Sequence, residues 1–279
     1  MSPELAAAIA TALGTPLRDA VAAGGGFSRN WRALAGDRPV FIKVCPDGDR
    51  LAAEADGLAA LAAADGFRIP AVLACGVAGR HAFLVLEWLP LESGGDDRAL
   101  ADALARLHDC GGPRFGWRRD NFIGATPQEN APSDDWAQFF AQRRLAPQLR
   151  LAAAQGHGCV TAPGSQLLTR LPELLAGHTP FPALLHGDLW RGNVGFVAGQ
   201  PCVYDPAVHY GDRECDLAMA DLFGGFSPAF FTAYCKASPL PSGWQERRRL
   251  YQLYHLLNHL NLFGRGYLPQ VMDILGTYR

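Results

Sequence analysis

Lysine is nearly absent from this chain. Only Lys43 and Lys236 break an otherwise all-arginine set of 25 basic residues. Codon bias explains an arginine excess but not the exceptions, which are candidates for positions that need a compact point charge. Charge of either sign is also sparse, at 19% of residues with a net charge of −2, so no broad cationic surface exists for nucleic acid. No uninterrupted run of about 18 apolar residues occurs, which excludes a segment of the bilayer-spanning kind and a membrane partner with it. The first residues, with Glu4 among them, lack the basic start and apolar run of a signal peptide. The seven cysteines are odd in number, scattered and without a CxxC pair, so the expectation is reduced thiols in a cytoplasmic protein. The nucleophile motif G-x-S-x-G is missing, as are G-x-x-x-x-G-K-[ST] and G-x-G-x-x-G. There is no internal repeat and no low-complexity linker.

What remains is a chain of 279 residues, 49% hydrophobic, which excludes disordered, coiled-coil and collagen-like classes. A chain of this size buries roughly three-quarters of the surface that its unfolded form exposes, enough for a sizeable core without disulfides. Residues 1–89 read as a small α+β lobe. A helix is expected over 4–13, then Gly24-Gly25-Gly26, then strands at 31–35 and 40–44 joined by a hairpin turn at 36–39. Leu51, Leu58 and Leu61 among alanines predict a helix over 50–64 packed on the sheet, followed by strands at 71–75 and 81–88. Leu89-Pro90-Leu91 breaks the pattern, and residues 90–279 read as a larger, mainly helical lobe. Its helices are expected at 98–109, 134–154, 165–176, 213–224, 228–236 and 244–263, with short strands at 184–186, 194–197 and 202–205 between them.

The chemistry-bearing text is His186-Gly187-Asp188-Leu189-Trp190-Arg191-Gly192-Asn193, with Asp205-Pro206 beyond it. Kinase-type phosphoryl transfer needs one carboxylate to accept the proton of the attacking hydroxyl, with an Asn and a second Asp to hold Mg²⁺ against the phosphates. The interval from Asp188 to Asn193 matches that of the kinase catalytic loop. Asp and Asn are also ordinary turn formers, but the whole string is far more specific than an isolated HxD. Lys43 lies in the apolar run Phe41-Ile42-Lys43-Val44, where an unpaired ammonium is costly, and Glu54 in the following helix is a natural partner. The alternative is an edge-strand lysine pointing at solvent. Gly24, Gly25 and Gly26 allow backbone to approach phosphate closely, or form no more than a flexible turn. His255 and His259 are four apart, but Leu256 replaces the Glu of H-E-x-x-H, which favours packed helix residues over a zinc site.

The string from Leu184 to Trp190, with Asp205-Pro206-Ala207, Tyr210-Gly211 and Asp216–Met219, resembles the fructosamine kinase (ketosamine-3-kinase) family, relatives of aminoglycoside phosphotransferases within the protein-kinase-like fold. The likeness extends through Phe115-Gly116, Asp120-Asn121, Gln128, Asn130, Asp135-Trp136 and Leu222–Phe226 to Leu257–Gly264. It implies an α+β, two-lobed protein-kinase-like fold, with an antiparallel sheet and one main helix in the small lobe and ATP in the cleft. It also implies Asp188 as proton acceptor, Asn193 and Asp205 as Mg²⁺ ligands, Lys43 steadied by Glu54 on the phosphates, and Glu87-Trp88-Leu89 as the hinge that meets adenine. Asp120, Asn121 and Trp190 would lie towards the substrate. Family members phosphorylate a sugar hydroxyl of ketosamines, free or on protein lysines, and the unstable product sheds the sugar, a deglycation repair. Rival expectations are a kinase for another small hydroxylated or amine-bearing metabolite, such as an aminoglycoside or choline-like compound, or a nucleotide-binding regulatory module without transfer activity. Arg191 stands where Ser is common in the family, adding a cation that would favour an anionic substrate or point to solvent.

Overall fold

A computed structural model describes residues 1–278. Helix α1 (Pro3–Leu13) starts at Ser2, whose hydroxyl accepts from the Leu5 N–H, and stops at Gly14 in a left-handed conformation. Strands β1 (Leu17–Ala23), β2 (Arg29–Ala35) and β3 (Arg38–Cys45), helix α2 (Gly48–Ala63), and strands β4 (Val72–Ala78) and β5 (His81–Glu87) follow. The five strands make one antiparallel sheet in the order β1-β2-β3-β5-β4. The expected hairpin forms between β2 and β3, where Ala35 pairs with Arg38. Strand β1 was not expected. It lies at the sheet edge with most of its residues exposed on both faces, so it carries no alternation to read.

The larger lobe begins with α3 (Asp97–Asp109), the hairpin β6 (Asn121–Ile123) and β7 (Thr126–Gln128), and α4 (Trp136–Phe139). The single helix expected over 134–154 is in fact interrupted: α4 runs into a π-helical turn, Phe140–Leu145, and then α5 (Ala146–Ala154). Pro147 cannot donate the N–H that an uninterrupted α-helix would use there. Next come α6 (Thr161–Leu174), β8 (Ala183–Leu185), β9 (Val194–Val197), β10 (Gln200–Val203) and β11 (His209–Gly211), then α7 (Glu214–Leu222), α8 (Pro228–Ala237), α9 (Trp244–Phe263) and α10 (Leu268–Thr277). The hairpin β6–β7, strand β11 and helix α10 were not anticipated. No helix of the described residues is long and apolar enough to cross a membrane.

Strand periodicity fixes which way the sheet's side chains go. Val40, Ile42 and Val44 of β3 and Phe83 and Val85 of β5 pack with Leu5 and Ile9 of α1. The alternate residues Leu84 and Leu86 face the other way, into a core shared with Leu51 and Leu58 of α2, Leu104 of α3, Phe196 of β9 and Phe230 of α8. That second core ties the sheet to the helical lobe. A third fills the helical lobe around Phe139, Phe140, Leu167, Leu253 and Leu257. The same alternation turns Lys43 away from the α1 side and towards α2.

Candidate active site

Lys43 is central in the sheet, paired across β3 with Asn30 of β2 and Leu84 of β5, and only 6% exposed. Its Nζ donates to Glu54 Oε1 at 2.5 Å and to Asp205 Oδ1. Burial alone would lower the ammonium's pKa, but the charges of Glu54 and Asp205 outweigh it and raise it well above the ordinary range. The solvent-facing edge lysine is therefore not what the fold builds.

Asp188 sits on the turn after β8. The Asp188 N–H donates to His186 Nδ1 at 3.2 Å, which makes Nε2 the protonated nitrogen, donating to the Tyr204 carbonyl at 3.0 Å. Burial holds that imidazole below its usual pKa and therefore neutral. Gly187 adopts φ +81°, and a Cβ there would stand 2.1 Å from the Ala207 carbonyl oxygen, so only glycine fits this turn. The turn is clamped from α7: Asp216 accepts the His186 N–H at 2.8 Å on Oδ2 and the Gly187 N–H at 2.9 Å on Oδ1, and His108 Nε2 reaches Oδ2 at 3.2 Å. Burial would raise the Asp216 carboxyl, but these donors hold it below the ordinary carboxylate range. Asp216 is a positioning residue that motif spacing did not reveal. Asp216→Ala is expected to cost about 3 kcal/mol or more in urea unfolding, because three buried donors lose their acceptor at once. A loss under about 1 kcal/mol would contradict this clamp.

Asn193 closes a short 3₁₀ turn and spends its Nδ2 on the Asp188 carbonyl at 2.9 Å and carboxylate Oδ2 at 3.3 Å, which leaves its amide oxygen for a ligand. Asp205 lies just past β10 in a left-handed conformation, φ +55°, a strained backbone for a non-glycine residue. Its side chain is 46% exposed, so it keeps access to solvent or a ligand while bonded to Lys43. The Asp188 carboxyl is pushed up to about 7, by burial first and the Asp205 charge second, with Asn193 opposing.

These groups line one cavity of about 650 Å³ with Gly24, Gly25, Gly26, Glu54 and the Glu87–Leu89 segment. The glycines form the β1–β2 turn, and Asn30 Nδ2 donates to the Gly25 carbonyl at 3.0 Å to fix it. Glu87 is occupied by Arg68 at 2.6 Å and Trp88 lies under the Arg32 guanidinium at 4.8 Å, while the Glu87 and Trp88 N–H groups donate to the carbonyls of Ala71 and Pro39 at 2.9 and 3.4 Å, so a ligand would meet the remaining backbone groups of that segment. Phe41, Leu51, Leu86, Leu89 and Leu91 give the cavity an apolar end next to this segment.

Other expectations divide. Trp190 lines the cavity and covers Gly192, where a Cβ would meet the indole at 2.2 Å. Asn121 also lines it, but its amide is consumed: Nδ2 donates to the Val208 carbonyl at 2.7 Å, and Oδ1 accepts from Gln128 and Asn130, each at 2.8 Å. Asp120 is not among the lining residues. Its carboxylate is exposed and accepts the Asn130 N–H at 2.7 Å, fixing the loop rather than facing the cavity. Arg191 is half-buried, donates to the carbonyls of Val194 and Ser93, and is not among the residues lining the cavity. His259 Nδ1 bonds the His255 carbonyl at 2.9 Å, and His255 is buried in the helical core. His178, Asp212 and Glu214 converge elsewhere, but Arg247 takes both Glu214 oxygens at 2.6 and 2.8 Å and Tyr251 donates to Asp212 at 2.6 Å, a satisfied buried network. Phe27 and Asn30, just past the glycines, also line the cavity.

The sheet-plus-helix lobe, the helical lobe and the groups gathered between them define the class as a phosphotransferase of the two-lobed kinase type. Within that class the chain belongs to the fructosamine kinase family, whose model, described as "Fructosamine kinase", matches residues 1–278. It is 43% identical over 258 residues to a Synechocystis protein named "Probable ketoamine kinase", covering 90% of this chain and 87% of that one. A crystal structure from Haemophilus somnus named as a fructosamine-3-kinase superposes with a TM-score of 0.90 at 28% identity, covering 99% of this chain and 96% of that one. An aminoglycoside phosphotransferase in ternary complex with ADP and hygromycin B shares the fold, at a TM-score of 0.66 and 16% identity over 99% of this chain and 96% of that one.

Proposed function

We propose that the protein is an ATP- and Mg²⁺-dependent kinase that phosphorylates a sugar hydroxyl of ketosamines, free or on glycated protein lysines, and so initiates their removal. Residues 1–89 form the nucleotide lobe and residues 90–279 the catalytic and substrate lobe. The single observation that carries this reading is the convergence of Lys43, Asp188, Asn193 and Asp205 on one cavity of nucleotide size. Family membership and the names of the relatives support ketosamines as the acceptor.

In this reading the adenine rests against the apolar end, with the backbone of Glu87, Trp88 and Leu89 as its hydrogen-bonding edge. The turn Gly24–Gly26 and the Lys43 ammonium, steadied by Glu54, hold the phosphates. The donor set of one amide oxygen, on Asn193, and one accessible carboxylate, on Asp205, fits Mg²⁺, which prefers hard oxygen ligands. When bound, the ion neutralises phosphate charge. Asp188 accepts the proton of the sugar hydroxyl as it attacks, and Trp190 borders the acceptor. Holding the hydroxyl in line and near contact supplies much of the rate.

Binding and chemistry are tested separately. MgATP at about 100 times its dissociation constant is expected to stabilise the fold by about 2.7 kcal/mol, a rise of several degrees in Tm, and EDTA should shrink that rise. ADP release is expected with ketosamines and not with choline or an aminoglycoside. Turnover on choline or an aminoglycoside alone contradicts the acceptor assignment. No thermal response to MgATP contradicts the whole reading.

A further inference from the structure

The glycine turn carries a large ring, Phe27, at its tip. Phe27 is 43% exposed and stacks on Phe263 at the end of α9, with ring centroids 5.9 Å apart and planes 25° from parallel. Beneath it lies Gly124 in the β6–β7 turn, where a Cβ would stand 2.8 Å from the Phe27 ring. Arg50 of α2 donates to the Phe27 carbonyl at 2.7 Å. A backbone anchor, a side-chain-free floor and a stacking partner from the other lobe therefore fix this ring. Phe27, Phe122, Gly124 and Trp190 all line the cavity that holds Asp188.

Charge accounting gives the ring a use. A ketosamine carries a basic amine, and an ammonium entering a partly desolvated site needs a carboxylate or aromatic faces. The acidic residues lining the cavity are Glu54, Glu87, Asp188 and Asp205. Glu54 is bonded to Lys43, Glu87 to Arg68, Asp205 to Lys43 and Asp188 to Asn193. The first two are paired with cations, and the reading above assigns Asp188 to the sugar hydroxyl and Asp205 to the metal, so no lining carboxylate is assigned to a substrate amine, whereas aromatic surface is plentiful.

Resting on the kinase reading above, we infer that Phe27 is a specificity-determining residue of the acceptor site: it meets the amine end of the ketosamine, favouring a single amine with an apolar or aromatic substituent over polycationic acceptors. Phe263 is a positioning residue that acts through Phe27.

The experiment uses the intact protein, MgATP and two acceptors with the same sugar, one built on benzylamine and one on glycine. Phe27→Ala and Phe263→Ala should each raise KM for the benzylamine-derived acceptor about tenfold, the worth of one such ring contact. KM for the glycine-derived acceptor, which keeps the ammonium but has no ring to stack, should rise less, by about twofold to threefold, and KM for ATP should stay within about twofold. Phe27→Tyr, which keeps the ring, should restore the preference, and Phe27→Leu should not. An equal change for both acceptors, a selective rise in KM for ATP, or no change at all overturns the assignment while leaving the kinase reading intact. If the unmodified protein phosphorylates neither acceptor, both readings fall.

Discussion

Asp188→Asn is expected to lower turnover on a ketosamine by about a thousandfold while leaving MgATP affinity within about twofold, because it removes the proposed proton acceptor and keeps the shape. Asparagine can still accept from Asn193, so the turn pinned by Asp216 should persist. The same variant carries a stability signature. The Asp188 carboxyl titrates near 7 in the nucleotide-free fold, above its ordinary value of 3.8. A folded value above the unfolded one means that the stability it contributes is complete below about pH 4 and is lost as pH rises through about 7. Asparagine never ionises. The variant should therefore melt above the unmodified protein at about pH 8, with the gap closing towards pH 4. Near-normal turnover removes Asp188 from the chemistry, and a gap that does not change with pH contradicts its raised carboxyl.

Lys43→Met is expected to act on both function and folding. Loss of a preorganised cation on the phosphates should reduce kcat/KM by about a hundredfold to a thousandfold. The carboxylate of Glu54, whose side chain is 14% exposed, is then left without its counter-charge, at a cost of about 3–5 kcal/mol. Asp205 is more open to solvent and should contribute less to that loss. The double variant Lys43→Met/Glu54→Leu separates the two effects. It should recover most of the stability, measured by urea unfolding, and none of the activity. Recovery of activity in the double variant would mean that Lys43 serves only to neutralise Glu54.

The groups that converge on the cavity were legible because their constraints are local. The interval from Asp188 to Asn193 and the strand ending near Asp205 are short-range features, and Lys43 stands out as a lone cation in an apolar run. The Glu54 pairing also follows from a short strand-to-helix connection. Much of what holds these groups was not legible. Asp216 reaches the His186–Asp188 turn across 30 residues of chain, and nothing in its neighbourhood signals that it accepts two backbone N–H groups. Strand β1 has no buried face to produce alternation, and the β6–β7 hairpin is only three residues on each side. The π-helical turn depends on Pro147 inside an otherwise helical stretch, where the sequence reads as continuous. Asp120 and Asn121 were placed at the substrate by likeness of text. In the fold, one caps a loop and the other is saturated within a buried network. The contact of Phe27 with Phe263 was not legible because the two lie at opposite ends of the chain.

The most direct measurement is mass spectrometry of ribose-, erythrose- and fructose-derived amines after incubation with MgATP and either the unmodified protein or Asp188→Asn. A phosphate gain on the sugar portion of at least one ketosamine, present with the unmodified protein and nearly abolished in the variant, is the predicted result. No phosphate on any of them, or equal phosphorylation by both proteins, would contradict it.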